Sequence, residues 1–382
     1  MYTFITTGFS CPRGVSPGLS RPAALLVVVL ALGSMTACDK QAPTMSSAEE
    51  NDEREVDGPA YENPVLGRDF PDPAVLQGPD GTYYAYATET LIDGTFYNIQ
   101  VATSETLVDW TWEGDAMPTG VDWAEEGRSY WAPHVVYAPE QHRYIMYFSA
   151  HHDQKDTKCL ATATSENPLG PFQHDGEPLR CGDGFKAIDP MALDDPESGT
   201  SYLYWGSHGE PIRAQPLSDS RTEFEDDTEP TAVVHPNPDA PYGGLIEGAW
   251  TIYRDSTYYL FYSGDNCCGE NAHYAVMVAR ADNPTGPFIT RGEAQGTARS
   301  TILTANDTWK APGHNSVIRD ADGTDWMVYH AINRAQPTRP TGTGMRWDRR
   351  VMLMDRIVYE EGWPRIENAS PSTASPIPAT AN

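Results

Sequence analysis

Asp72, Trp131, Asp189, Glu247 and His314 each stand 12 or 13 residues ahead of an aromatic anchor in a segment that occurs five times along the chain. The anchors are Tyr84, Tyr144, Tyr202, Tyr259 and Trp326, at steps of 60, 58, 57 and 67 residues. Three carboxylates and a histidine therefore share one place in a repeating unit. If the units stand around an axis, those side chains converge. Two carboxyl groups flanking a glycosidic bond suffice for its hydrolysis, one ionised and one holding its proton. A third raises the pKa of the acid by like-charge repulsion. A lone carboxylate is usually a solvated surface group, and an Asp-Pro at a strand start often only accepts backbone hydrogen bonds. The shared register is what singles out Asp72, Asp189 and Glu247.

The elements that must position them are strands. Each anchor sits in a run rich in Tyr, Trp, Val and Ile, such as Tyr258-Tyr259-Leu260-Phe261-Tyr262, and these side chains suit a half-buried pleated surface. Turns such as Asp80-Gly81 and Asp322-Gly323 separate such runs and read as hairpins. A further extended stretch follows each hairpin, and no long helical periodicity appears between residues 60 and 367. Two loops are near copies, Asn167-Pro168-Leu169-Gly170-Pro171-Phe172 and Asn283-Pro284-Thr285-Gly286-Pro287-Phe288. Self-similar, strand-rich units predict an all-β fold, a five-bladed β-propeller forming a single catalytic domain. A compact blade takes roughly 40–45 residues, so the longer period implies inserted loops.

The chain has 382 residues and a formal net charge of −28, with only 26 Lys and Arg. Such a balance excludes nucleic acid as a partner, since its binding needs basic patches. Polyanionic substrates are repelled as well. Residues 1–37 read as a signal peptide of the lipoprotein type, with Arg13 and Arg21 before an apolar run and Met35-Thr36-Ala37 before Cys38. Cys38 is then the lipidated first residue, and ordinary cleavage nearby is the alternative. Residues 38–60 are an acidic, disordered tether, 61–367 the propeller, and 368–382 a low-complexity tail without core-forming residues. Cys159 and Cys181 can bridge in an exported protein. The adjacent Cys267 and Cys268 either form a ring disulfide or remain thiols.

In order, Phe70-Pro71-Asp72-Pro73, Tyr130-Trp131-Ala132-Pro133, Ile188-Asp189-Pro190, Glu247-Gly248-Ala249 and Gly313-His314-Asn315-Ser316 resemble the motifs of glycoside hydrolase family 43. The resemblance covers about residues 62–366. It implies a five-bladed propeller and an inverting arabinofuranosidase, arabinanase or xylosidase. By the same resemblance Asp72 matches the general base, Glu247 the general acid, and Asp189 the residue that tunes and orients the acid. His314 matches a histidine that helps hold a calcium ion in many arabinan-active members; no other cofactor is implied. Trp131 and Trp250 are candidates for stacking on sugar or for lining the channel. Arg349 or Arg350 can bind sugar hydroxyls, and only one of these neighbours can point inward along a strand. The adjacent Cys267-Cys268 departs from the family pattern.

The Gly-His-Asn-Ser motif and the lack of an added C-terminal sandwich domain favour α-L-arabinofuranosyl linkages in arabinan or arabinose-decorated plant polysaccharide, with β-xylosidase as the alternative. A non-catalytic, envelope-anchored sugar-binding propeller would lack one of the three carboxylates. The Trp-x-Asn-Asp-Pro motif of retaining fructan-active propellers is absent. The expected enzyme is a monomer acting on a neutral polysaccharide, touching a membrane only through Cys38. It is exported, either as a bacterial envelope lipoprotein or as a periplasmic or secreted protein.

Overall fold

The computed structural model describes residues 60–174 and 176–380. The expected leader 1–37, the expected lipid acceptor Cys38 and the tether to residue 59 lie outside the described residues.

Five antiparallel sheets follow one another along the chain, each built from one contiguous stretch. Blade 1 comprises Ala74–Gln77, Tyr83–Ala87, Gln100–Ser104 and Thr111–Asp115, and blade 2 Trp131–Ala138, Arg143–His152, Thr157–Ser165 and Arg180–Cys181. Blade 3 is Met191–Asp194, Ser201–Trp205, Ile212–Pro216 and Thr231–Val234. Blade 4 is Ile246–Arg254, Thr257–Asn266, His273–Ala281 and Ile289–Thr290, with Thr301–Leu303 also on its third strand. Blade 5 is Trp309–Arg319, Asp325–Asn333, Arg350–Glu360 and Trp363–Ile366. The aromatic anchors all lie on second strands, as the spacing predicts.

Neighbouring blades are joined by apolar side chains and by tyrosine hydroxyls. Tyr86 of blade 1 donates to the Pro168 carbonyl at 2.7 Å and packs edge-on against Phe172 at 6.1 Å. Tyr204 of blade 3 donates in the same way to the Pro284 carbonyl. The two near-identical loops are thus receivers for a tyrosine from the preceding blade.

The ring closes between blades 5 and 1 by polar ties at the Asp69-Phe70-Pro71-Asp72 segment. Phe70 N–H donates to the Arg350 carbonyl at 2.7 Å, and Arg339 pairs with Asp69 at 2.7 Å. The tail departs from its compositional reading. Ala374–Pro376 pairs with Ala60–Glu62, and Ser372 N–H donates to Asp355. Small polar residues need no apolar face to be ordered when an unpaired strand edge supplies their backbone partners.

In an antiparallel blade the first strand starts, and the turn between strands two and three opens, at the same end of the sheet. The loops after Thr88, His152, Trp205, Asn266 and Asn333 therefore share the face on which the innermost strands begin. That face carries the site.

Candidate active site

Each innermost strand carries, at or near its inner start, a residue in the left-handed region at an equivalent place. These are Asp72 (φ 57°), Ala132 (47°), Asp189 (57°), Gly248 (60°) and His314 (47°). The kinks define the equivalent position in the five blades. Asp72, Asp189 and His314 occupy it, whereas Trp131 and Glu247 stand one residue ahead of it. A non-glycine residue held this way costs about 1–3 kcal/mol, so the surroundings must enforce it.

A ring of bonds between blades enforces it. The end of each second strand reaches the next kink: Thr88 Oγ1 accepts Ala132 N–H at 2.8 Å, and Ser149 Oγ accepts Asp189 N–H at 3.3 Å. Ser263 Oγ accepts His314 N–H at 2.8 Å. Ser207 donates instead to the Ile246 carbonyl, and Gly248 N–H turns to Asp189 Oδ2 at 3.1 Å. Blade 5 replaces the hydroxyl with His330, whose Nδ1 lies 3.2 Å from Asp72 N. Four hydroxyls and one imidazole at a repeated position were a signal available in the sequence, and motif reasoning passed over it.

The three carboxylates are brought together near the axis. Asp72, Asp189 and His314 line one narrow space with His134, Trp250 and Asn315. Asp72 Oδ1 meets Arg350 at 3.0 Å, His330 Nδ1 at 3.1 Å and His314 Nδ1 at 3.4 Å, while its Oδ2 accepts the Thr88 hydroxyl at 2.5 Å. Burial works to raise the Asp72 carboxyl, but Arg350, His314 and His330 outweigh it and hold it well below the usual carboxylate range. Asp189 goes the other way: burial and the charges of Glu247 and Asp72 push it well up, against the Gly248 N–H and Lys158. Burial also lifts Glu247 to about 7, against the hydrogen bond from Tyr274 and with Asp72 adding to the rise. Asp189 and Glu247 titrate as a pair that keeps a proton near neutrality.

Tyr274 donates to Glu247 Oε1 at 2.7 Å. A Cβ on Gly313 would stand 2.2 Å from its ring, so only glycine at that position lets the ring approach. Motif reading missed Tyr274 because nothing in its local sequence distinguishes it from the core tyrosines.

The other expected residues separate. Arg350 faces the axis on Asp72, and Arg349 faces out, bonded to the Gly67 carbonyl and to Gln336. This removes Arg349 from the candidate sugar contacts; strand alternation permits only one of the two inside. Trp250 is buried edge-on against His134 at 4.8 Å and lines the same narrow space as Asp72 and Asp189. Trp131 is half-buried at the mouth, its ring held by the Lys158 ammonium 3.1 Å from the centroid and by Phe185.

The donor set at His314 does not fit a calcium ion held by protein oxygens. The Nδ1 of His314 already faces Asp72, whereas calcium takes about six to eight oxygens. Among the described residues no group of three or more His, Cys, Asp or Glu is arranged to hold a metal. Cys159 is bonded to Cys181, and Cys267 to Cys268.

A carboxylate held ionised and a pair retaining a proton, in one channel, can activate water and protonate a leaving oxygen. The sequence profile of Glycosyl hydrolases family 43 matches residues 61–364. The probable arabinan endo-1,5-alpha-L-arabinosidase A of Aspergillus flavus is 27% identical over 312 residues, 77% of this chain and 90% of that protein. The beta-D-galactofuranosidase of Aspergillus niger is 29% identical over 314 residues, 78% and 82% of the two chains. A thermostable family-43 glycoside hydrolase of known crystal structure superposes with a TM-score of 0.67 at 29% identity, covering 84% of this chain and 99% of the other. Five blades around an axial carboxylate cluster and a match spanning all five motifs agree: the chain belongs to glycosyl hydrolases family 43 and is a glycosidase.

Proposed function

We propose that this enzyme hydrolyses α-L-arabinofuranosyl linkages in arabinan or arabinose-bearing plant polysaccharide with inversion of configuration. The observation that carries the reading is the opposed protonation of Asp72 and the Asp189–Glu247 pair within one channel. Asp72 is the base: Arg350, His314 and His330 keep it ionised, ready to take a proton from water as the oxygen attacks the anomeric carbon. Glu247 is the acid, giving its proton to the departing glycosidic oxygen as the bond breaks. Asp189 raises the affinity of Glu247 for that proton and accepts from Gly248 N–H, fixing the strand on which Glu247 stands. No step is routed through a metal.

Two named relatives support a furanoside substrate, since one is named for arabinan and the other for β-D-galactofuranoside. The chain's net charge of −28 favours a neutral polymer. The disulfide between Cys159 and Cys181 fits an oxidising compartment, which supports export. Lipid anchoring at Cys38 and a monomeric state belong to the same proposal.

A panel of aryl α-L-arabinofuranoside, aryl β-D-xyloside, aryl β-D-galactofuranoside, linear arabinan and xylan tests it. Highest kcat/KM on an arabinofuranoside or arabinan is expected, and a clear preference for xyloside or xylan would overturn it. Product anomers followed by proton NMR must show inversion; retention removes Asp72 from the role of base.

A further inference from the structure

Phe185 is a large aromatic left 42% exposed on a loop that is otherwise firmly held. The Cys159–Cys181 disulfide ties the loop at one end. Lys158 N–H donates to the Gly184 carbonyl at 2.9 Å, Gly182 N–H donates back to the Lys158 carbonyl at 3.1 Å, and Thr157 donates to Gly184 at 3.1 Å. A ring exposed on a loop held this way is available for contact without further ordering of the backbone.

Its neighbours make it a platform. The Phe185 and Trp131 rings are parallel within 3° with centroids 5.8 Å apart, and the exposed His208, in the blade 3 loop after Trp205, lies 5.5 Å from Phe185. Trp131 precedes the Ala132 kink, whose N–H is bound by the same Thr88 hydroxyl that donates to Asp72. The platform therefore begins at the carboxylates and leads outward over blades 2 and 3. The exposed ring offers an apolar surface of the kind that suits the C–H face of a sugar.

We propose that Phe185, with Trp131 and His208, forms a sugar-binding subsite for the next neutral unit of the polymer beyond the linkage cleaved. The subsite rests on the glycosidase reading and adds where the chain continues. Because the loop is tied before substrate arrives, little ordering is needed to bind.

The experiment compares the full-length enzyme with Phe185→Ala and Phe185→Tyr on two substrates in each of two series: methyl α-L-arabinofuranoside and an α-1,5-arabino-oligosaccharide, and methyl β-D-xyloside and a xylo-oligosaccharide. In the series that the wild type turns over, Phe185→Ala lowers kcat/KM on the oligosaccharide about tenfold more than on the methyl glycoside, through KM. Phe185→Tyr restores most of the loss. An equal effect on both substrates, or none on the oligosaccharide, overturns the subsite. Turnover confined to the xylose series overturns the arabinan reading instead, while the Phe185 ratio still decides the platform.

Discussion

Tyr274 and His330 lie ring on ring, centroids 5.9 Å apart and planes within 5°, and each holds one of the two opposed carboxyl groups. Tyr274 donates to Glu247 at 2.7 Å, and His330 touches Asp72 at 3.1 Å. Blade 4 and blade 5 thus set the separation of acid and base through one aromatic stack. His330 is fully buried, with Nε2 unpartnered. Burial is the first cause that lowers its pKa, to about 4, so the ring is neutral at working pH.

Replacing His330 by Ser installs the kind of hydroxyl that serves the equivalent position in other blades. The shorter side chain withdraws a contact that keeps Asp72 ionised, so the Asp72 pKa rises. The acidic limb of the kcat/KM profile then moves to higher pH while the alkaline limb stays. An unmoved acidic limb would show that His330 only fills space.

Asp72→Asn and Glu247→Gln each remove one proton-transfer group. Turnover on the best substrate falls by about 10²–10⁴-fold, the range for general acid–base groups, with the thermal melt retained. Near-normal turnover in either folded variant would remove that residue from catalysis.

The pH profile follows from the opposed shifts. Activity needs Asp72 ionised, which holds down to well below the usual carboxylate range, and Glu247 protonated, which is lost as pH rises through about 7. Asp189→Asn removes one of the two carboxyls that share a proton, so the alkaline limb, which belongs to the pair, moves to lower pH. A limb that stays in place, or moves up, contradicts the role of Asp189.

Arg350→Ala leaves the buried Asp72 charge without its cationic partner and raises the acidic limb with a loss of turnover. Arg349→Ala, which breaks only outward bonds, leaves kcat/KM within about twofold, as surface contacts of this kind contribute little. Equal effects of the two variants would contradict the inward assignment of Arg350.

Cys181→Ser opens a bridge with a sequence separation of 22. Chain-entropy reasoning puts its contribution at about 3 kcal/mol, which chemical denaturation can measure. A loss well under 1 kcal/mol would mean that the loop's backbone bonds hold it without the bridge.

The blades were legible because hairpin signals and aromatic anchors are local, and a repeat multiplies a weak local signal five times. The near-common register of Asp72, Asp189 and Glu247 was legible for the same reason, with Glu247 one residue ahead of the kink that the other two occupy. Tyr274 was not, since a tyrosine among core tyrosines gains a role only from what stands opposite. Nor was the ordered tail: composition reports the absence of an apolar face, and Ala374–Pro376 is held by backbone pairing and by polar contacts from Tyr61 to Ser375 and from Asp355 to the nearby Ser372.

By itself the sequence determined that five like units exist and, to within one residue, what stands at each repeated place, since both follow from periodicity along the chain. Which of Arg349 and Arg350 reaches Asp72, which carboxyl is ionised, and that Phe185 stands beside Trp131 were decided only when the ring closed. Charge, burial and stacking act through space over a few ångströms, and these partners come from blades separated by tens to hundreds of residues.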